Sequence, residues 1–154
     1  MPQIDDTECR YDCLRLDNQL CFPLYAISKE IVRRYKPLLD KLDLTYTQYI
    51  TMMVMWERRR ISVREIGKLL FLDSGTLTPV LKKLEAKGFI IRERDREDER
   101  VLDLSITDKG MELREQALEV PKQMMCTSII EPEEAKLLYD TLRKILGRLS
   151  GCEE

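Results

Sequence analysis

Cys21 stands in the apolar run Leu20-Cys21-Phe22-Pro23-Leu24-Tyr25, a setting that bears directly on what its thiol can do. Pro23 is pre-set for the first turn of a helix, which places Cys21 at or just before a helix start, beside backbone N–H groups with no intrahelical acceptor. A cysteine at a helix N-terminus favours its thiolate form, the species that attacks peroxides and disulfides. Free cysteine is also among the most buried residue types, so the hexapeptide alone leaves a packing role open and makes it the commoner one. Cys126, in Gln123-Met124-Met125-Cys126-Thr127-Ser128, is a second thiol whose spacing alone fits a packing or an exposed residue.

Five cysteines at scattered spacings, an odd number, suit neither a secreted disulfide framework nor a zinc site. Cys9 and Cys13 form a Cys-x3-Cys pair without a second pair, and the chain has no histidine. The missing imidazole removes Ser-His-Asp and Cys-His arrangements and the commonest general base near neutral pH. That counts against hydrolase chemistry, and the chain is expected to be no enzyme and to need no cofactor. A net charge of −2 gives no bulk argument for nucleic acid, so any such argument must come from local geometry.

An apolar fraction of 44% with 35% charged residues fits a globular chain, and 154 residues fit one domain. No apolar run reaches bilayer length and the N-terminus lacks a signal-peptide pattern, which points to the cytoplasm and no membrane partner.

The elements that must position the thiol follow from periodicity. Leu24, Ile27, Ile31, Tyr35 and Leu38 recur at helical intervals from Cys21 to about Leu39. Thr45-Tyr46-Thr47-Gln48 and Ser62-Val63-Arg64-Glu65 are possible capping boxes, the first opening a helix apolar on much of its surface and the second a short one. Asp73 or Ser74 can cap a helix closed by Gly88, with Leu77, Leu81 and Leu84 as its buried seam. Gly75 leaves room for the ring of Pro79. After Gly88 the period becomes alternating, and Leu102, Leu104 and Ile106 complete a hairpin around a charged turn. A fifth helix, capped by Thr107, runs to about Met125, and a sixth starts at Glu131-Pro132 and runs through Leu149.

The fold class this order predicts is mainly α with a small β-hairpin wing: a winged helix-turn-helix whose second helix enters the major groove. Residues 45–107 form that core. The flanking helices, about 16–44 and 108–150, lie outside it and fit a dimerisation module.

The chain resembles the MarR family of dimeric winged-helix transcription regulators, and within it the organic-hydroperoxide-sensing repressors. The resemblance covers roughly residues 16–149 and rests on Leu16-Asp17-Asn18-Gln19-Leu20-Cys21-Phe22, Tyr35-Lys36-Pro37-Leu38-Leu39, Leu72-Asp73-Ser74-Gly75-Thr76-Leu77-Thr78-Pro79 and Asp98-Glu99-Arg100. It implies a homodimeric repressor whose Cys21 is oxidised by an organic hydroperoxide and which then leaves a double-stranded DNA operator. It also implies that Tyr35 and Tyr46 hydrogen-bond the sensing thiol, and that Cys126 is the resolving cysteine of an intersubunit disulfide. Phenol O–H donors stabilise a thiolate without adding full charge, and apolar neighbours such as Phe22 and Leu24 favour greasy peroxides. Cys9, Cys13 and Cys152 have no counterpart role, and Pro23 departs from the family's usual apolar residue.

Between Lys82 and Arg100 seven basic residues face six acids, so charge alone describes a solvated hairpin. Geometry adds that Ser74, Thr76 and Thr78, with Lys82 and Lys83 off the buried seam, can reach phosphates or base edges. By resemblance, Arg100 enters the minor groove oriented by Asp98, with Arg94 and Arg96 at phosphates. A symmetric dimer then wants a pseudo-palindrome with half-sites about one helical turn apart. Two other classes stay open: a ligand-controlled repressor in which Cys21 only packs, and a thiol peroxidase that turns over with a reductant.

Overall fold

The computed structural model describes residues 11–94, 102–126 and 130–150. Two 3-10 turns, Asp12–Leu14 and Leu16–Asn18, lead into helix α1 (Cys21–Leu39), which passes through a further turn at Asp40–Leu42 to α2 (Tyr46–Arg58). Strand β1 (Arg60–Ser62), α3 (Val63–Leu70) and α4 (Ser74–Ala86) follow, then β2 (Ile90–Arg94), β3 (Leu102–Ile106), α5 (Asp108–Ala117), α6 (Glu119–Cys126) and α7 (Pro132–Ser150).

Side-chain caps set the helix starts. Both expected capping boxes form: Gln48 N–H donates to Thr45 Oγ1 at 3.3 Å while Thr45 N–H donates to Gln48 Oε1 at 3.0 Å. Ser62 and Glu65 exchange the equivalent pair, each at 3.2 Å. Thr107 caps α5 by accepting from Gly110 N–H, and Asp73 caps α4.

The core is one cluster. The seam Leu77, Leu81 and Leu84 of α4 packs with Met52 and Met55 of α2, Ile66 of α3, and Ile90 and Leu104 of the sheet. Leu39, Leu42 and Leu44 close it from the end of α1, and Leu113, Ala117 and Val120 from the far side of the chain. The first and fifth helices, expected to flank the winged-helix core, lend one end and one face to this cluster. The C-terminal end of α1 and the inner face of α5 belong to the body, where the buried Trp56 indole donates to the Gly110 carbonyl at 2.8 Å.

The sheet is antiparallel in the order β1-β3-β2, with Ile90 opposite Ile106 and Arg94 opposite Leu102. The expected hairpin is present, and β1 is added to it, pairing Ile61 with Leu104. Three residues are too few to carry an alternation, and their partners lie some forty positions away.

The expected single helix from Thr107 to about Met125 is divided at Leu118. Pro121 has no N–H to give the Ala117 carbonyl, and its ring crowds that oxygen, so the helical ladder lapses there. Two compact units meet in sequence at Val120 and Pro121. The second unit contains α7, whose stripe Leu138, Leu142, Ile145 and Leu149 is exposed. No helix among the described residues is long and apolar enough to cross a membrane.

Candidate functional site

Cys21 is the first residue of α1, the place its neighbour Pro23 predicts. The entry has no side-chain cap, and Leu20 is already helical. Amides organise it instead: Asn18 Nδ2 donates to the Asp12 carbonyl at 2.8 Å and Gln19 Nε2 to the Cys13 carbonyl at 2.5 Å. These contacts tie the two 3-10 turns to each other just ahead of α1. The thiol is free and exposed, and so are Leu20, Phe22 and Leu24 around it. A packing role inside its own chain is thereby excluded.

Tyr35 sits toward the other end of the same helix, and Tyr46 opens α2 beside it. Tyr35 and Tyr46 are neighbours, with ring centroids 5.0 Å apart, and Tyr49 lies 5.9 Å from Tyr35. Burial, and then the adjacent Tyr46, push the Tyr35 phenol above its ordinary pKa. Burial, then Tyr35 and Tyr46, do the same for Tyr49. Both phenols are therefore O–H donors across the physiological range. Fourteen residues of helix at 1.5 Å each separate Cys21 from Tyr35 by about 21 Å, far beyond a hydrogen bond. Within one chain the thiol and the tyrosine pair are not brought together.

Cys126 is the last residue of α6, in the second unit. Cys13 is exposed in the first 3-10 turn and forms no disulfide. Cys9 and Cys152 lie outside the described residues.

The second constellation is the start of α4. Asp73 Oδ1 accepts from Thr76 N–H at 2.9 Å and Oδ2 from the Thr76 hydroxyl at 2.8 Å. The Thr76 N–H, then its hydroxyl, hold the Asp73 carboxyl below its ordinary pKa. Ser74, Thr76 and Thr78 are exposed beside this cap, and Lys82 and Lys83 are exposed farther along. The helix thus presents exposed hydroxyl residues at the end where a helix dipole favours phosphate.

Arg94 ends the described part of the wing and is exposed. Arg96, Asp98 and Arg100 lie outside the described residues. Arg92, one of the basic residues of the hairpin, is engaged: its Nε donates to Glu85 Oε2 at 2.7 Å, tying the wing to α4. That bond holds the Glu85 carboxyl below its ordinary range. Sequence reading gave no sign of it, because an Arg and a Glu seven apart across a helix end carry no periodic signal.

Residues 33–117 match the family model of the transcriptional regulators SarA and Rot. The chain belongs to that family of winged-helix transcriptional regulators. It is 44% identical over 92% of its length to the organic hydroperoxide resistance transcriptional regulator of Bacillus subtilis, covering 97% of that protein. Among solved structures it is similar to overoxidised AbfR bound to DNA, at 35% identity and a TM-score of 0.74 over 91% of this chain and 98% of the other. AbfR, a Staphylococcus epidermidis protein, has also been solved in a disulfide form. To that structure the chain is 34% identical, with a TM-score of 0.63 over 93% of its length and 97% of the other. The relatives are transcriptional regulators and not enzymes.

Proposed function

We propose that this regulator is a redox-sensing repressor, holding a pseudo-palindromic operator as a homodimer while Cys21 is reduced and releasing it when an organic hydroperoxide oxidises that thiol. The observation that carries the reading is an uncovered Cys21 at the head of α1, amid uncovered apolar residues, on a helix whose other end is packed into the winged-helix body. The organic-hydroperoxide relative supports the oxidant, and the DNA-bound relative supports the operator.

In the first step the Cys21 thiolate attacks the terminal oxygen of the hydroperoxide. An S–O bond forms, the O–O bond breaks, and the leaving alkoxide takes a proton to become an alcohol, so sulfur is oxidised to a sulfenic acid and the peroxide is reduced. In the second, the Cys126 thiolate of the other copy attacks that sulfur. An S–S bond forms and hydroxide leaves, protonated to water. Since α1 keeps Cys21 about 21 Å from its own Tyr35, the phenols of Tyr35 and Tyr46 that donate to the thiolate belong to the second copy.

The disulfide moves the dimerisation helices and with them the separation of the two α4 helices, each laid in a major groove. Ser74, Thr76, Thr78, Lys82 and Lys83 contact DNA from α4, and Arg94, Arg96 and Arg100 from the wing, with Asp98 orienting Arg100. A loss of about 3 kcal/mol lowers operator affinity on the order of a hundredfold. AbfR bound to DNA in an overoxidised state supports assigning release to the disulfide and not to oxidation of one sulfur alone.

The test is a gel-shift series with reduced and cumene hydroperoxide-treated protein. Cys21→Ser is expected to bind the operator and to keep it after treatment; release by that variant refutes Cys21 as the sensor. Cys126→Ser is expected to form no cross-linked dimer on nonreducing electrophoresis and to stay on DNA once Cys21 is overoxidised. A persistent cross-link would remove Cys126 from its role. Operator release by a phenolic ligand under reducing conditions would favour ligand control instead.

A further inference from the structure

Lys87 ends α4 and makes contacts in two directions. Its ammonium forms an ion pair of 3.0 Å with Asp43 Oδ2 and also donates to the Asp43 backbone carbonyl. Its own carbonyl accepts from Lys109 Nζ at 2.8 Å, at the first turn of α5. Asp43 is not an incidental partner. It closes the 3-10 turn that continues α1, in a left-handed conformation with φ 52° and ψ 44°. The turn is anchored by Leu44 N–H donating to the Leu39 carbonyl at 3.0 Å and by the burial of Leu39, Leu42 and Leu44. A displacement of α1 therefore reaches Asp43 without passing through flexible chain.

On the α5 side the fit is equally close. Thr107 Oγ1 donates to the Gly88 carbonyl at 2.7 Å, and a Cβ at Gly110 would collide with the Phe89 carbonyl oxygen. The stretch from Lys87 to Phe89 is thus held between the end of α1 and the beginning of α5.

We propose that Lys87 is the coupling residue of the redox switch, a strut from the end of the sensor helix α1, through Asp43, to the C-terminus of the reading helix α4. Lys87 is a positioning residue and touches neither thiol nor operator. The inference rests on the sensing reading of Cys21. The Asp43 side chain is 86% exposed, so the pair contributes little to stability, as exposed ion pairs do. What it supplies is register between two helices whose other ends carry the thiol and the DNA-contacting hydroxyls.

The experiment measures operator affinity of the full chain, reduced and after cumene hydroperoxide, for wild type, Lys87→Met, Asp43→Asn and Lys87→Arg. Wild type is expected to show an affinity ratio on the order of a hundredfold between the two states. Lys87→Met keeps the apolar stem and loses the charge; it is expected to melt within about 4 °C of wild type. It should bind the operator within about threefold when reduced, with the ratio between the two states cut by about threefold, the scale an exposed pair can transmit. Asp43→Asn, which suits the left-handed position, should lower the ratio in the same direction, and Lys87→Arg should restore it. If Lys87→Met fails to fold, Asp43→Asn and Lys87→Arg carry the test alone.

A wild-type ratio retained in Lys87→Met, or in Asp43→Asn if Lys87→Met does not fold, overturns the strut and leaves the sensing reading intact. Equal weakening of both states, with a salt-dependence slope lowered by about one, also overturns it by making Lys87 a phosphate contact. A wild type that holds its operator equally in both states overturns the sensing reading and the strut together.

Discussion

Arg59 adopts φ 63° and ψ −40°, a backbone region that side chains with a Cβ rarely occupy. It is held there from both sides: its N–H donates to the Met55 carbonyl and its carbonyl accepts from Ile106 N–H, each at 2.9 Å. Relieving it should stabilise the fold, so Arg59→Gly is expected to raise the unfolding free energy by about 1 kcal/mol in a urea titration. A loss of stability would mean that the guanidinium itself contributes a contact. Gly110 presents the opposite case, since an added Cβ would also lie 2.9 Å from Ile106 Cγ1. Gly110→Ala is expected to cost about 2 kcal/mol or more by the same titration. Periodicity gives no sign of this, because the carbonyl that excludes a side chain belongs to Phe89, across the hairpin. The tyrosines carry a pH dependence. Tyr35 and Tyr49 have raised pKa values in the folded chain, so their contribution is complete below the ordinary phenol value of about 10 and is lost as pH rises through the folded values. Tyr35→Phe should shift the alkaline unfolding limb to higher pH, followed by far-UV circular dichroism. An unmoved limb would mean that other groups set it.

At the scale of elements, what the sequence makes visible is local. Thr45-x-x-Gln48 and Ser62-x-x-Glu65 both become reciprocal capping boxes, because a box needs only residues three apart. Thr45→Ala is expected to cost about 1 kcal/mol, read as an earlier urea midpoint. Asp73 caps α4 with a depressed pKa, so its contribution is full above about pH 4 and is lost as pH falls through its folded value. β1 escapes sequence reading because its identity lies in a partner strand that arrives later. The break at Leu118 escapes it for another reason: the apolar period of Met111, Leu113 and Ala117 continues past the point where Pro121 removes a donor. Periodicity reports which face is buried, not whether each carbonyl finds an N–H. The same limit hides Arg92–Glu85 and Lys87–Asp43, the side-chain ties that join α4 to the wing and to α1.

At the scale of the molecule, Leu24, Ile27 and Ile31 on α1 and Leu138, Leu142, Ile145 and Leu149 on α7 are apolar rows left exposed on the single chain. In the proposed homodimer a second copy covers them, and both rows come from helices expected to be dimerisation arms. Ile145→Glu is expected to convert the dimer to monomer in sedimentation velocity and to lower operator affinity at least tenfold, since one half-site remains. A variant that stays dimeric would remove α7 from the interface. The length of α1 has a further consequence. If thiol and phenols come from different chains, peroxide sensitivity is a property of concentration. Diluted below its dissociation constant, the reduced protein should lose its fast reaction with hydroperoxide along with its partner. Free operator DNA, by holding two copies together, should restore that reaction, so the regulator would sense best where it is bound.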